Sequence, residues 1–311
     1  MQPVTKARLQ IHFCVILWGF TAILGKLITL PALPLVWWRM LLVVAALLLM
    51  PPVWRGLRAL PRRLLFGYAG IGVLVSLHWL TFYAAIKLAN ASVAATCIAM
   101  GPVFLSVIEP LVARRRFELR ELLLGAAVVP GVALVAGGVP ASMHAGIAVG
   151  IVSALLVALF GSFNKRLVDH ADPLTVTCVE LGTGTLFLTL LAPLLAGTAP
   201  AFVLPDWHDT WLMLVLSFGC TLLLPFALAL VALRHMTAFG TQMVTNLEPI
   251  YAIVLAIPLL GEQHELGWKF YLGVAVILAA VFAHPLIHRS PKAPAVEQIG
   301  ASEAHNIVDS D

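Results

Sequence analysis

Apolar residues run along this chain in long blocks, and polar residues are confined to short intervals between them. Ten blocks can be laid out. The first five are roughly Leu9 to Leu30, Pro34 to Val53, Leu64 to Ile86, Ala91 to Val112 and Glu121 to Gly138. The second five are roughly Ala145 to Val168, Pro173 to Ala196, Thr210 to Leu233, Ala238 to Leu260 and Trp268 to Ile287. Each approaches the ~20 residues that a helix needs to cross a bilayer core. The pattern therefore predicts an all-α membrane protein of ten transmembrane helices, with loops too short for a soluble domain. The stretch from Arg289 to Asp311 carries Pro291, Pro294 and scattered polar residues, and reads as a disordered cytoplasmic tail.

Composition agrees. Hydrophobic residues make up 61% of the chain and charged residues 11%, against about 25% charged in a soluble domain. So little charge cannot cover a soluble fold, and the mean hydropathy of +0.98 extends the point to the whole chain. Secreted miniproteins, cytosolic enzymes and nucleic-acid binders are excluded. Cys14, Cys97, Cys178 and Cys220 lie in apolar runs without paired spacing, so a disulfide framework is not expected. Lys6 and Arg8 precede an apolar run that is long for a signal peptide and reads as the first span.

The net charge of +4 matters by position. Lys6, Arg8, Arg55, Arg58, Arg62, Arg63, Arg114, Arg115, Arg116, Arg120, Arg166, Arg234, Arg289 and Lys292 all fall on one side of a ten-span topology. The opposite loops offer Lys87 and Lys269. The positive-inside rule then puts both termini in the cytoplasm of a multi-pass protein in the inner (plasma) membrane. Trp37, Trp38, Trp54, Trp207, Trp211 and Trp268 stand at span ends, where interfacial anchors belong.

Laying the second half over the first reveals a repeat. Lys26 aligns with Lys165 and Pro34-Leu35 with Pro173-Leu174. After a loop change, Ala91 aligns with Ala238, Pro102-Val103-Phe104 with Pro249-Ile250-Tyr251, and Glu118-Leu119 with Glu265-Leu266. The units are 1–138 and 139–288, with 289–311 as the tail. Five spans per copy force the second copy to be inverted, an arrangement that recurs in transporters with a site at the bilayer midplane.

The stretch WGFTAILGKLI from Trp18 to Ile28, PLVWWR from Pro34 to Arg39, mid-span Pro102, and NLEPIYAIVLAIPLLGE from Asn246 to Glu262 resemble the EamA-type branch of the drug/metabolite transporter (DMT) superfamily. The resemblance runs from roughly Ile11 to Ala283. It implies two inverted five-helix repeats around a central cavity, with spans five and ten peripheral. Where the second copy has Gly261-Glu262 the first has Arg114-Arg115, which weakens a role for that acidic position in the first half.

Ionisable residues within spans are costly, so each calls for an explanation. Glu248 lies about ten residues into span nine, hence about 15 Å deep. It shares a helical face with Thr241 and Thr245, with Gln242 and Asn246 beside it, whereas the aligned positions of the first copy are nonpolar. Glu248 reads as a substrate contact or a protonatable coupling site, or else as a packing carboxyl. Pro249 and Pro102 each remove an amide donor and break their helices. Lys26 and Arg39, expected at similar depth, form a candidate anion site, or snorkel to the surface. Lys165 and Glu180 are candidates for an inner gate, with a local ion pair or a snorkelling lysine as the alternatives. His78 is either a proton carrier or a hydrogen-bonded neutral imidazole. Trp18, Trp38, Trp79 and Tyr251 are candidate aromatic walls or simple packing. Glu109, beside the Arg114 cluster, reads as an interfacial carboxylate.

No metal or cofactor is expected. Gly19 to Lys26 has the wrong spacing for a phosphate-binding loop, and His284 and His288 lack an intervening Glu. The reading is a secondary-active transporter that exports small metabolites, namely amino acids, related compounds or drugs, by alternating access. The alternative is a membrane-embedded enzyme acting on a lipid-linked substrate, which would need a convergent catalytic pair at depth. The partners are a small-molecule substrate and the lipid bilayer, with a coupling proton and a second copy of the chain (a homodimer) left open, and no nucleic acid.

Overall fold

The computed structural model describes residues 3–195, 202–222 and 225–287. Fifteen α-helices follow in order: α1 Pro3–Leu27, α2 Ala32–Leu48, α3 Pro51–Ala59, α4 Arg62–Leu88, α5 Ala91–Ile98, α6 Gly101–Ala113, α7 Leu119–Ala126 and α8 Val129–Gly137. After the loop come α9 His144–Leu167, α10 Pro173–Leu195, α11 Trp207–Leu214, α12 Pro225–Leu233, α13 Ala238–Thr245, α14 Glu248–Leu260 and α15 Trp268–Ile287. The described residues contain no strand. The expected tail and the His284/His288 pair lie outside the residues whose side chains are described.

Eight helical runs are long and apolar enough to cross a membrane, and a ninth is counted if α2 and α3 form one span. The described residues thus account for eight or nine of the ten expected spans. The second apolar block does not continue as one helix, because Pro51 and Pro52 follow a residue in extended conformation and the chain turns by 92° between α2 and α3. Proline at the first helical positions starts a helix well but cannot continue the preceding one. The resulting short α3 exposes Arg55 and Arg58 and buries Val53. At the other end of the chain, α15 is 20 residues long and is apolar over its stretch Trp268–Ala280.

Spans four and nine are both interrupted at the same place in the repeat. α5 ends at Ile98 and α6 starts at Gly101; α13 ends at Thr245 and α14 starts at Glu248. Pro102 and Pro249 sit at the second position of the new helix in each case. The N-caps also correspond: Asn90 accepts from Val93 N at 2.9 Å, and Thr237 accepts from Gly240 N at 2.9 Å. So do the C-termini, which close in left-handed conformation at Arg114 (φ 53°) and Gly261 (φ 69°). Glycine adopts that geometry without cost. Arginine does not, and its strain shows that the fold imposes the same turn in both copies.

Contacts establish that the copies are inverted. α5 packs on α14 and α6 on α13, so the first half of one broken span meets the second half of the other. Carboxylates tie both crossings. Glu262 accepts from Ala91 N (2.9 Å), Ser92 N (3.0 Å) and Ser92 Oγ (2.5 Å), covering the donors at the start of α5. Glu109 accepts from Ala238 N (2.8 Å) and Phe239 N (2.7 Å) at the start of α13, and is held by Arg115 at 3.3 Å. Free amide donors and the helix dipole make such N-termini favourable places for a carboxylate. Glu109 is therefore a buried clamp, 1% exposed, and not the expected interfacial residue. It also resolves the missing acidic position of the first copy: Arg115 aligns with Glu262, and the carboxylate comes from further up the helix.

The main apolar core lies between α1, α2, α4, α10 and the α11–α12 region. α15 packs on α8 and α7 at the edge of the bundle, leaving both outside the cavity described next.

Candidate functional site

A cavity of about 150 Å³ lies among the central helices, room for about five water molecules. Arg39, Trp79 and Glu248 line it together with Asn164, Leu233 and Ala238. The last three stand near the helix ends on the face that carries the arginine-rich loops, here called the basic face. Mostly aromatic and aliphatic walls surround a few polar groups, as is usual for a small-molecule site.

Arg39 is 4% exposed and fixed on three sides. Its Nε and Nη2 donate to Thr221 Oγ1 at 2.9 and 2.7 Å, and Nη1 donates to Tyr83 Oη at 2.6 Å. The guanidinium lies over the Trp79 ring, 4.0 Å from its centroid, a cation–π contact. Three of five N–H groups are thus engaged, and the rest remain for a ligand. Thr221 belongs to a π-helical segment, Val215–Leu222, and its hydroxyl donates to Leu216 O, five residues back. Such wide turns often accompany functional sites. Here the turn presents the hydroxyl to Arg39.

Glu248 opens α14 at the break in span nine. It is 5% exposed and lines the cavity together with Arg39, with which it forms no ion pair. No hydrogen bond to Glu248 exists among the described residues. An anion-binding group and an acceptor therefore share an apolar cavity.

Several expected residues meet here: Glu248, Thr245, Thr241, Arg39, His78 and Trp18 all line the cavity, as do Trp79 and Gln242. Others do not. Asn246 turns away and donates to Ala99 O at 3.2 Å, bridging the two helix breaks. Trp38 donates to Val203 O at 2.9 Å, and Tyr251 packs with Trp18 in a separate cluster. His78 Nδ1 lies 2.8 Å from Ser153 Oγ and 3.0 Å from Ser153 O, so it is a hydrogen-bonded imidazole on the cavity wall.

Two expected pairings fail. Lys26 does not join Arg39: Lys26 Nζ donates to Ala89 O at 3.4 Å, and it does not line the cavity. Arg39 points inward because Thr221 and Tyr83 offer it partners there. Nor are Lys165 and Glu180 paired with each other. Lys165 donates to Leu233 O at 2.7 Å and Arg234 O at 3.4 Å, satisfying carbonyls at the end of α12, and Glu180 turns toward Asn164 instead.

Opposite the basic face a carboxylate joins two helix ends. Asp209, 1% exposed at the start of α11, accepts from Thr29 N (2.9 and 3.0 Å), Thr29 Oγ1 (2.8 Å) and Leu30 N (3.2 Å). It thereby binds the loop after α1 to span eight. Lys87 donates to Ile28 O beside it, and Lys26 to Ala89 O. Asp206 and His208 adjoin Asp209, but Asp206 caps α11 through Asp209 N at 2.7 Å. Sequence reasoning missed Asp209 because an Asp at a span end looks like any polar loop residue; its partner is 180 residues away.

An all-helical chain crossing a membrane many times, with two inverted copies around a cavity bearing buried charge, is a membrane transport protein in architecture. The particular family follows from sequence comparison: residues 6–137 and 144–283 match the EamA-like transporter family, and the chain belongs to it. A search of curated proteins finds no match. Among 21 matching solved chains is one described as "Crystal structure of protein", with a TM-score of 0.65 at 16% identity, covering 91% of this chain and 99% of that chain. That likeness supports the fold.

Proposed function

We propose that this protein is a secondary-active transporter that exports a small metabolite by alternating access. The observation that carries this reading is the cavity in which Arg39 and Glu248 stand together in an otherwise apolar space. A solute bearing both an anionic group and a hydrogen-bond donor suits that pair, and amino acids and their relatives have this chemistry. Arg39 meets the anion through its free N–H groups; Glu248 accepts from the donor; Trp18, Trp79 and Phe82 surround the apolar part.

With the basic face cytoplasmic, as the positive-inside rule favours, both termini lie in the cytoplasm of the inner membrane. The cavity is then open inward and shut outward by Asp209. The two carboxylate clamps hold spans four and nine together at both ends, which makes this pair the natural axis. The moving elements are α1 and the α11–α12 span, whose outer contact rests on a few hydrogen bonds. Export then requires the Asp209 contact to open after cytoplasmic loading.

The test uses purified protein in liposomes and a panel of radiolabelled amino acids and related metabolites. Gradient-dependent movement of unaltered solute supports the reading. Conversion of the solute without net movement would favour a membrane-embedded enzyme and overturn it.

A further inference from the structure

Glu180 is fully buried, 0% exposed, in the first half of α10. Its Oε2 is 3.4 Å from Asn164 Nδ2, and its Oε1 has no partner. Asn164 Oδ1, equally buried, also has no partner. Two unpartnered acceptor oxygens on a hydrogen-bonded pair of side chains are an unusual thing to bury, because unpaired buried polar atoms are costly and a bare carboxylate is costlier still. Asn164 also lines the cavity, so this pair reaches the transport pathway.

No cation neutralises Glu180 among the described residues. The elements packed most extensively on α10 are α4, α2, α3 and α12, and α9 reaches Glu180 through Asn164, with Arg166 of α9 exposed. On α4, Tyr68 faces Glu180 with its hydroxyl bonded to Leu167 O at 2.9 Å, His78 is bonded to Ser153, and Arg62 and Arg63 are exposed. The remaining α4 groups, Tyr83 and Lys87, are bonded to Arg39 and Ile28. On α2, Arg39 is committed to Thr221 and Tyr83. Arg55 and Arg58 on α3 are exposed, and α12 carries no titratable residue. Lys165, next to Asn164, donates to Leu233 O and Arg234 O.

We propose that Glu180 and Asn164 form a proton-binding site beside the cavity, and that this site, not Glu248, carries the coupling proton. The inference rests on the transport reading above. The chemistry is balanced: Glu180 takes one proton from cavity water and passes from carboxylate to neutral acid, and returns the proton to water on release. Asn164 suits both states. Its amide donates through Nδ2 to the carboxylate, and its Oδ1 accepts from the neutral acid. A metal cation fits poorly, since it requires several oxygen ligands. There is no space for them on the α4 side: a β-carbon on Gly72 would lie 2.2 Å from Glu180 O, so the two backbones are in direct contact. Glu248 differs in that its oxygens are not sealed away and face the space a solute would occupy.

The experiment is an infrared pH titration of the purified full-length chain in liposomes, in potassium buffer, with no solute added. A carbonyl stretch of a neutral carboxylic acid in an apolar site should grow as pH falls. It should be lost in Glu180→Gln, persist in Glu248→Gln, and change frequency in Asn164→Leu. A band that is absent at all pH values, or one unchanged in Glu180→Gln, overturns the site. Should Glu180→Gln fail to fold, an unmoved band in Asn164→Leu does so instead. Loss of the band on adding sodium at constant pH would assign the site to a metal cation and overturn the proton. Because no cargo is involved, the two readings separate: an intact titration with no solute movement in liposomes sinks the transport reading, and solute movement without the titration sinks this site.

Discussion

Replacing Asp209 with Asn should loosen the closed side of the transporter. Three donors converge on this carboxylate: the amides of Thr29 and Leu30 and the Thr29 hydroxyl. Hydrogen bonds to a charged acceptor are worth about 1.5–3 kcal/mol, roughly twice neutral ones. Asn keeps one acceptor but loses the charge, and its NH₂ group opposes an N–H donor. Summed over three donors and discounted for repacking, the closed state should lose about 2–3 kcal/mol. That corresponds to a roughly 30- to 150-fold shift toward opening on that side. Spin labels at Leu88 and Trp207, both exposed at this rim, would report the distance across it. The four native cysteines are buried and can be replaced first. Asp209→Asn should gain a long-distance population in nanodiscs, and Asp209→Glu, which keeps the charge, should gain less. Identical distance distributions in wild type and a well-folded Asn variant would refute the gate.

Arg39→Lys should raise the KM for solutes carrying a carboxylate tenfold or more while sparing cationic ones, since about two charge-assisted bonds are lost with the fork; an equal loss for all charges in liposome assays would point to folding. Glu248→Gln should weaken solutes bearing an ammonium group yet leave pH-driven accumulation in place, measured with and without an imposed pH gradient. Glu109→Ala should lower the unfolding temperature in detergent, because two amide donors of α13 and the Arg115 charge lose their partner at a cost of about 3 kcal/mol; an unchanged melting curve would show that the clamp is dispensable. A Cys at Ser142, exposed in the loop before α9, should react with an impermeant thiol reagent in intact cells; labelling only after the membrane is opened would reverse the orientation.

The apolar blocks alone were enough to reveal a membrane protein of many helices, because hydropathy is a property of each segment and needs no partner. The repeat was legible for a related reason: aligned prolines at 102 and 249 act on their own helix, and both breaks appear where they predict. The stripe of Thr241, Thr245 and Glu248 was readable too, since a helix fixes which residues share a face, and all three line the cavity. Pairing was another matter. Lys26 with Arg39 and Lys165 with Glu180 were plausible by depth, and depth says nothing about azimuth around the bundle. Arg39 finds Thr221 across 182 residues, and Asp209 finds Thr29 across 180. Glu109 looked interfacial from its arginine neighbours, yet it caps a helix 129 residues on. The bend in the second span was not legible either, because composition passes smoothly through Pro51 and Pro52 where the helix does not. A buried polar group takes its partner from whatever the packed helices bring within hydrogen-bonding reach, and that neighbourhood exists only once both repeats have closed on each other.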